Sequence, residues 1–295
     1  MPLDGSAFSE KISGNAVDLA VKLGMEIILL SILSPGEKKL LPKRQEYLDS
    51  QADIMQKQIE VEAKGSAYKD KVKGEVVMGQ PADEILRYID KNNIDIVAMA
   101  THGRSGIGSL AMGSVAYNVV RTAKVPVLLV RSVARKQVAK ERLSTGIILV
   151  PLDGSKPGES VLQPVQVLAK QFGTENCEVV LLSVCEPSPV KSGYSRVIIS
   201  EGEASAGKEA FMHRMAAQQY LAKLGKRIKS GGIKVRNEVL TGDPAEKITD
   251  YAREIKADLI AMATHGRTGI SRLAYGSVAE NVIRGISNPI FLVRP

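Results

Sequence analysis

Two tandem open parallel-sheet sandwiches of the α/β class are what this 295-residue sequence predicts. Three observations carry the prediction. The stretch "MATHGRSGIGSLAMGSVAYNVVR" at residues 99–121 returns as "MATHGRTGISRLAYGSVAENVIR" at 262–284, 163 positions later. Residues 94–121 and 257–284 are identical at 19 of 28 positions, so the chain repeats one structural unit. Each copy alternates short apolar runs with amphipathic stretches, a strand–helix alternation that calls for parallel pairing and right-handed crossovers. The apolar runs are continuous rather than alternating, which suits a sheet covered on both faces.

The second repeat shows the elements most clearly. "GIILV" reads as a short buried strand and residues 156–172 as an amphipathic helix. "CEVVLLSV" is a second strand, and residues 208–230 have helical periodicity. "IKVRNEVL" alternates as a third strand, followed by a helix over 244–255 that places Pro244 in its first turn. "ADLIAMA" is a fourth strand, residues 272–286 form a last helix, and "PIFLV" is the fifth strand. "MPLDGS" matches "VPLDGS" at an offset of 149, whereas "GQPADEI" matches "GDPAEKI" at 163. The second repeat therefore holds about 14 extra residues, assigned to the Gly/Ser/Pro-rich stretch "EPSPVKSGYSRVIISEGEASAGK", which reads as a loop. The first repeat has only Met1 ahead of "PLDGS", so most of its first strand is missing. The expected domains are 1–131 and 146–295, joined by a basic linker at 132–145.

Composition bounds the function. Apolar residues make up 44% of the chain, with no Trp and four Phe, so the cores are aliphatic. No apolar run approaches the roughly 18 residues of a membrane span. The start "MPLDGSAFSEK" lacks the charged and apolar parts of a signal peptide. Cys177 and Cys185 flank one strand and read as reduced thiols. A cytoplasmic protein is the expectation. The net charge of +8 permits attraction to polyanions, but the basic residues are dispersed except in "RSVARKQVAKER". Nucleic-acid binding is disfavoured against a solvated linker.

The repeated block begins at the carboxyl end of a predicted strand, where open α/β sheets bind ligands. Gly103 and Gly106 open a glycine-rich loop, and Gly113-Ser114 follows near the next helix. Close backbone approach, exposed N–H groups and a hydroxyl can together hold phosphate oxygens. Arg104, and Arg267 in the second copy, can add a charge-assisted contact. Glycines that merely turn the chain are the plainer alternative, and duplication would copy either meaning. Asp4 and Asp153 end the first strands, where a carboxylate serves a ribose, an adenine amine, a metal or a helix N-cap. His102 and His265 read as loop histidines held by hydrogen bonds rather than as bases, since no nucleophile accompanies them, and His213 as a surface residue. The three histidines and two cysteines lack metal-cluster spacing. Neither a P-loop nor a dinucleotide fingerprint is present.

The set "PLDGS", "G-x-PA-x-x-I", "THGR(S/T)G", "GSVA-x-NV(V/I)R" and "PV-x-LVR" resembles the universal stress protein family across both repeats. Nucleotide-binding members carry G-x-x-G, nine residues, then G-[ST]. Here Ala100 and Ala263 replace the first glycine. The resemblance implies a sheet of order 3-2-1-4-5 and a triphosphate held by Gly103, Gly113 and Ser114, or by Gly266, Gly276 and Ser277. It implies Ile32 and Val184 against the adenine, Asp4 and Asp153 near the ribose or adenine, and N–H groups from Val115 and Val278. ATP is the implied ligand, with Mg2+ on its phosphates. It also implies pairing of "VPVLLV" with "NPIFLV" inside the chain, and leaves a homodimer of the whole chain open. The implied role is stress-response regulation. A nucleotide-free interaction module and a slow ATPase are the competing readings.

Overall fold

The computed structural model describes residues 1–63, 71–101, 112–131, 146–186, 199–265 and 276–295, with side chains of the third stretch from the end described from 146 and of the next from 207. In chain order the first repeat contributes α1 (Ala7–Glu10), α2 (Ser13–Leu23), β1 (Ile27–Leu33), α3 (Leu41–Ala63), β2 (Val72–Met78), α4 (Pro81–Lys91), β3 (Val97–Ala100), α5 (Ser114–Thr122) and β4 (Val127–Val130). The second contributes β5 (Ile147–Pro151), α6 (Leu162–Gln171), β6 (Glu178–Cys185), α7 (Ile199–Lys229), β7 (Lys234–Thr241), α8 (Pro244–Glu254), β8 (Leu259–Ala263), α9 (Ser277–Gly285) and β9 (Ile290–Val293).

The second repeat forms a parallel sheet in the order β7-β6-β5-β8-β9, which is 3-2-1-4-5 within the repeat. β7 intersperses buried residues with exposed ones, in keeping with its expected alternation. The other strands are aliphatic runs whose successive side chains enter different cores. Ile148 and Val150 pack with α2, α3, α6 and α7 on one face. Leu149, between them, packs with the α4, α5, α8 and α9 face. Burial on both sides explains why these strands lack a polar alternation.

The two last strands meet antiparallel, Leu128 of β4 opposite Phe291 of β9. This is the pairing expected of "VPVLLV" with "NPIFLV". It carries the sheet onward through β4 to β3, giving seven strands from both repeats. Arg131 beyond β4 donates to the Arg284 carbonyl at the end of α9. Reciprocally, Arg294 beyond β9 donates to the Thr122 carbonyl of α5 at 3.0 Å.

The first repeat is interrupted where its first strand is short. β1 and β2 form a separate two-stranded sheet. Residues 1–3 take the remaining end of the missing strand. Leu30 N–H donates to the Met1 carbonyl at 2.9 Å, and Leu3 N–H donates to the Leu30 carbonyl at 2.8 Å. The same bond ties Leu152 to Leu182 in the second repeat, at 2.8 Å.

One sequence expectation is corrected here. The stretch read as a loop up to residue 208 is helical from Ile199, because α7 extends well ahead of the expected helix start. Its glycines and serines lower intrinsic helix propensity, which composition registers and helix context overrides. Two smaller shifts accompany it. The helix expected over 156–172 starts as a 3-10 turn at Gly158–Val161 before α6. The last helix is observed from Ser277, and residues 272–275 lie outside the described residues.

Candidate functional site

The site is built at the carboxyl ends of β5, β6 and β8. Beyond β5, Gly154 adopts φ 82°, and Gly5 adopts φ 80° at the same place in the first repeat. This left-handed geometry folds "DGS" back on itself. The Asp153 carboxylate thereby accepts from Ser155 N–H at 3.0 Å and from its hydroxyl at 2.6 Å. Asp4 accepts from Ser6 at the same two distances. The capping duty falls to the serines. Ser6 Oγ accepts from Ser9 N–H at 3.2 Å, and Ser155 Oγ accepts from Gly158 N–H at 3.0 Å. The aspartates orient those hydroxyls instead of capping, and a Cβ on Gly158 would come within 2.6 Å of Asp153 Oδ1.

At the end of β8, Thr264 is 1% exposed. Its N–H donates to the Val293 carbonyl, and its own carbonyl accepts from Gly276 N–H at 3.0 Å. That bond sets the start of α9 beside the strand end. Gly276 is the N-cap of α9 and supplies no side-chain cap. The first-turn N–H groups therefore keep the positive end of the helix dipole open to an anion. The first repeat copies this arrangement, Gly113 N–H donating to the Thr101 carbonyl at 2.9 Å ahead of α5. No described residue requires glycine at 276. Its φ is −60°, and among the described residues the nearest atom to an added Cβ is the Thr264 carbonyl oxygen at 3.6 Å.

Together these ends surround a cleft of about 950 Å³. Asp153, Val184, Ala263, Gly276, Ser277 and Val278 all line it, brought from three strand ends and one helix start. Gly266 and Arg267 lie outside the described residues, as do Gly103, Arg104 and His102. In the first repeat Asp4, Ile32, Gly113 and Val115 are half-buried, Ala100 is buried and Ser114 is exposed. Ala100 and Ala263 close β3 and β8. Neither has a positive φ, so alanine meets no backbone strain at the position where the expected motif has glycine.

Two histidines that sequence reading had kept apart from the site also border the cleft, together with α7 residues that sequence reading missed. His265 faces the cleft beside Thr264, with the threonine hydroxyl 2.9 Å from its Nδ1. Its Nε2 is buried with no hydrogen-bond partner among the described residues. A buried polar atom of that kind calls for a partner from a ligand or a neighbouring loop. The far wall comes from α7, with Glu209, His213, Ala217 and Tyr220. His213 is exposed, as expected, and it also borders this cleft. No sequence motif marks these α7 positions, because they reach the site through helix-to-sheet packing alone.

Known proteins locate the chain. A model of the universal stress protein family matches residues 1–131 and 145–294. Universal stress protein MJ0531 of Methanocaldococcus jannaschii is 33% identical over 147 residues, which cover 50% of this chain and 81% of that protein. MJ0577 of the same organism is 28% identical over 155 residues, 50% of this chain and 93% of its own length. A universal stress protein structure from Archaeoglobus fulgidus DSM 4304 superposes with a TM-score of 0.64 at 22% identity, over 99% of this chain and 94% of that one. That likeness shows a shared fold. With both repeats matched and the motifs set at the strand ends as described, the chain belongs to the universal stress protein family.

Proposed function

We propose that this protein binds an adenine nucleotide, ATP above all, in the cleft of its second repeat, and that it acts as a stress-response regulator rather than as a metabolic enzyme. One observation carries the reading. Six residues singled out from sequence and motif, far apart in the chain, line a single cleft of nucleotide size. The uncapped start of α9 offers its N–H groups to the phosphates, and Ser277 adds a hydroxyl. Val184 gives the opposite side an apolar surface for a base. The unpartnered Nε2 of His265 fits a site that awaits a polar group.

Mg2+ enters this reading on the phosphates of the ligand. Among the described residues no group of three His, Cys, Asp or Glu is placed to hold an ion. In this reading residues 1–131 and 146–295 are the two domains and 132–145 their linker. No helix among the described residues is long and apolar enough to cross a membrane, and we take the cytoplasm as its location.

The test is equilibrium titration of ATP into the purified protein, beside Gly276→Val. Among the described residues the nearest atom to its Cβ is the Thr264 carbonyl oxygen at 3.6 Å, so the variant is expected to fold, with circular dichroism as the control, while its branches fill the phosphate end of the cleft. The expected result is saturable binding below millimolar, weakened at least tenfold in the variant. Absence of saturable binding by the unaltered protein would leave the nucleotide-free interaction module as the better account.

A further inference from the structure

The two repeats differ at one wall of the site, and the difference bears on what the second cleft recognises. Tyr47 of α3 donates to Glu10 at 2.7 Å, and Tyr220 of α7 donates to Glu159 at 3.4 Å. Glu10 and Glu159 follow Asp4 and Asp153 at the same spacing, so the two tyrosines are structural counterparts. α3 begins at Leu41, shortly before Tyr47. α7 begins at Ile199, several turns ahead of Tyr220. A 3-10 helix, Pro35–Leu40, leads straight into α3. Counted back from the paired tyrosines, Glu209 and His213 correspond to Gly36 and Leu40, which carry neither a carboxylate nor an imidazole. Glu209 and His213 border the cleft, on the side of β6 and opposite the start of α9.

Resting on the nucleotide reading above, the placement of a ligand follows from its two ends. Phosphates at the α9 terminus direct the base away from it, toward Val184, Ala217 and Tyr220. Beyond these apolar contacts the base edge meets Glu209 and His213, one helical turn apart and therefore on one face of α7. We propose that these two residues determine base specificity in the second repeat. The Glu209 carboxylate accepts from the exocyclic amine of adenine, and a ring N–H of His213 donates to the adjacent ring nitrogen. A donor beside an acceptor is what the adenine edge presents, and a carboxylate with an imidazole is its complement. The first repeat, with Gly36 and Leu40 at these positions, offers neither group.

The experiment titrates the full chain with ATP and with N6,N6-dimethyl-ATP, whose amine has no hydrogen to donate. Unaltered protein, Glu209→Ala and His213→Ala are compared, with circular dichroism as the fold control. Both positions are exposed and alanine favours helix, so both variants fold. Glu209→Ala is expected to weaken ATP about tenfold and to leave the dimethyl analogue unchanged, because the lost bond is the one the analogue never made. His213→Ala is expected to weaken both ligands. Equal loss for both nucleotides in Glu209→Ala, or no loss in either variant, overturns the assignment while the nucleotide reading stands. Failure of the unaltered protein to bind ATP overturns both.

Discussion

Gly276 and Ala263 face the same cleft with different demands on their backbones. Gly276 has an ordinary φ and room for a Cβ, so its lack of a side chain matters to what enters the cleft. Ala263 lies in extended strand, where glycine brings only entropy. Ala263→Gly is therefore expected to cost about 0.5–1 kcal/mol of stability and to change ATP affinity by less than about threefold. Chemical unfolding and titration of one sample check both. A large gain in affinity would mean that the methyl obstructs the ligand. The cysteines give a second residue-scale test. Cys177 is 1% exposed, and burial, with Asp258 nearby, pushes its thiol up to about 11. Cys185 is half-exposed on the cleft. Alkylation at pH 8 should modify Cys185 and spare Cys177, since the thiolate is the reactive form. Saturating ATP should slow the Cys185 reaction. Peptide mass mapping reads both outcomes, and rapid labelling of Cys177 in the folded protein would contradict its burial.

Among the elements, α9 and α5 join site to frame. Each starts beside a strand end at a Gly-Ser pair and finishes against an arginine from the other repeat. The "PV-x-LVR" motif thus ends in a residue whose purpose is visible only across the β4–β9 seam. Phe291 lies on that seam, 1% exposed and opposite Leu128. Phe291→Ala removes a large ring from a close-packed core and should cost about 3–5 kcal/mol, measured by denaturant unfolding. The long start of α7 is the element that sequence reading misjudged. Residues 186–208 carry the punctuation of a loop, yet from Ile199 onward they are helical. The other strands and helices were legible because aliphatic runs and amphipathic periods recur twice, and each copy checks the other.

For the molecule as a whole, the seam makes two repeats into one cooperative body. A single seven-stranded sheet crosses it, and each core cluster draws residues from both repeats. Calorimetry should therefore show one unfolding transition, with Phe291→Ala lowering it as a unit. Two separate transitions would show that the seam contributes little. The first repeat's short opening strand leaves β1 and β2 as a sheet of their own, so its end of the body should exchange amide protons fastest.

The sequence by itself determined the duplication, the strand–helix alternation and the strand-end location of the motifs. These follow from local patterns: hydrophobic period, turn glycines and repetition in register. The strand order and the pairing of the last strands were implied only by the resemblance to the universal stress protein family. Tertiary structure alone decided that the site residues share one cleft, that the aspartates orient serines, and that α7 forms its far wall. Contacts between segments far apart in the chain depend on how helices settle on a twisted sheet, and no local pattern encodes that distance.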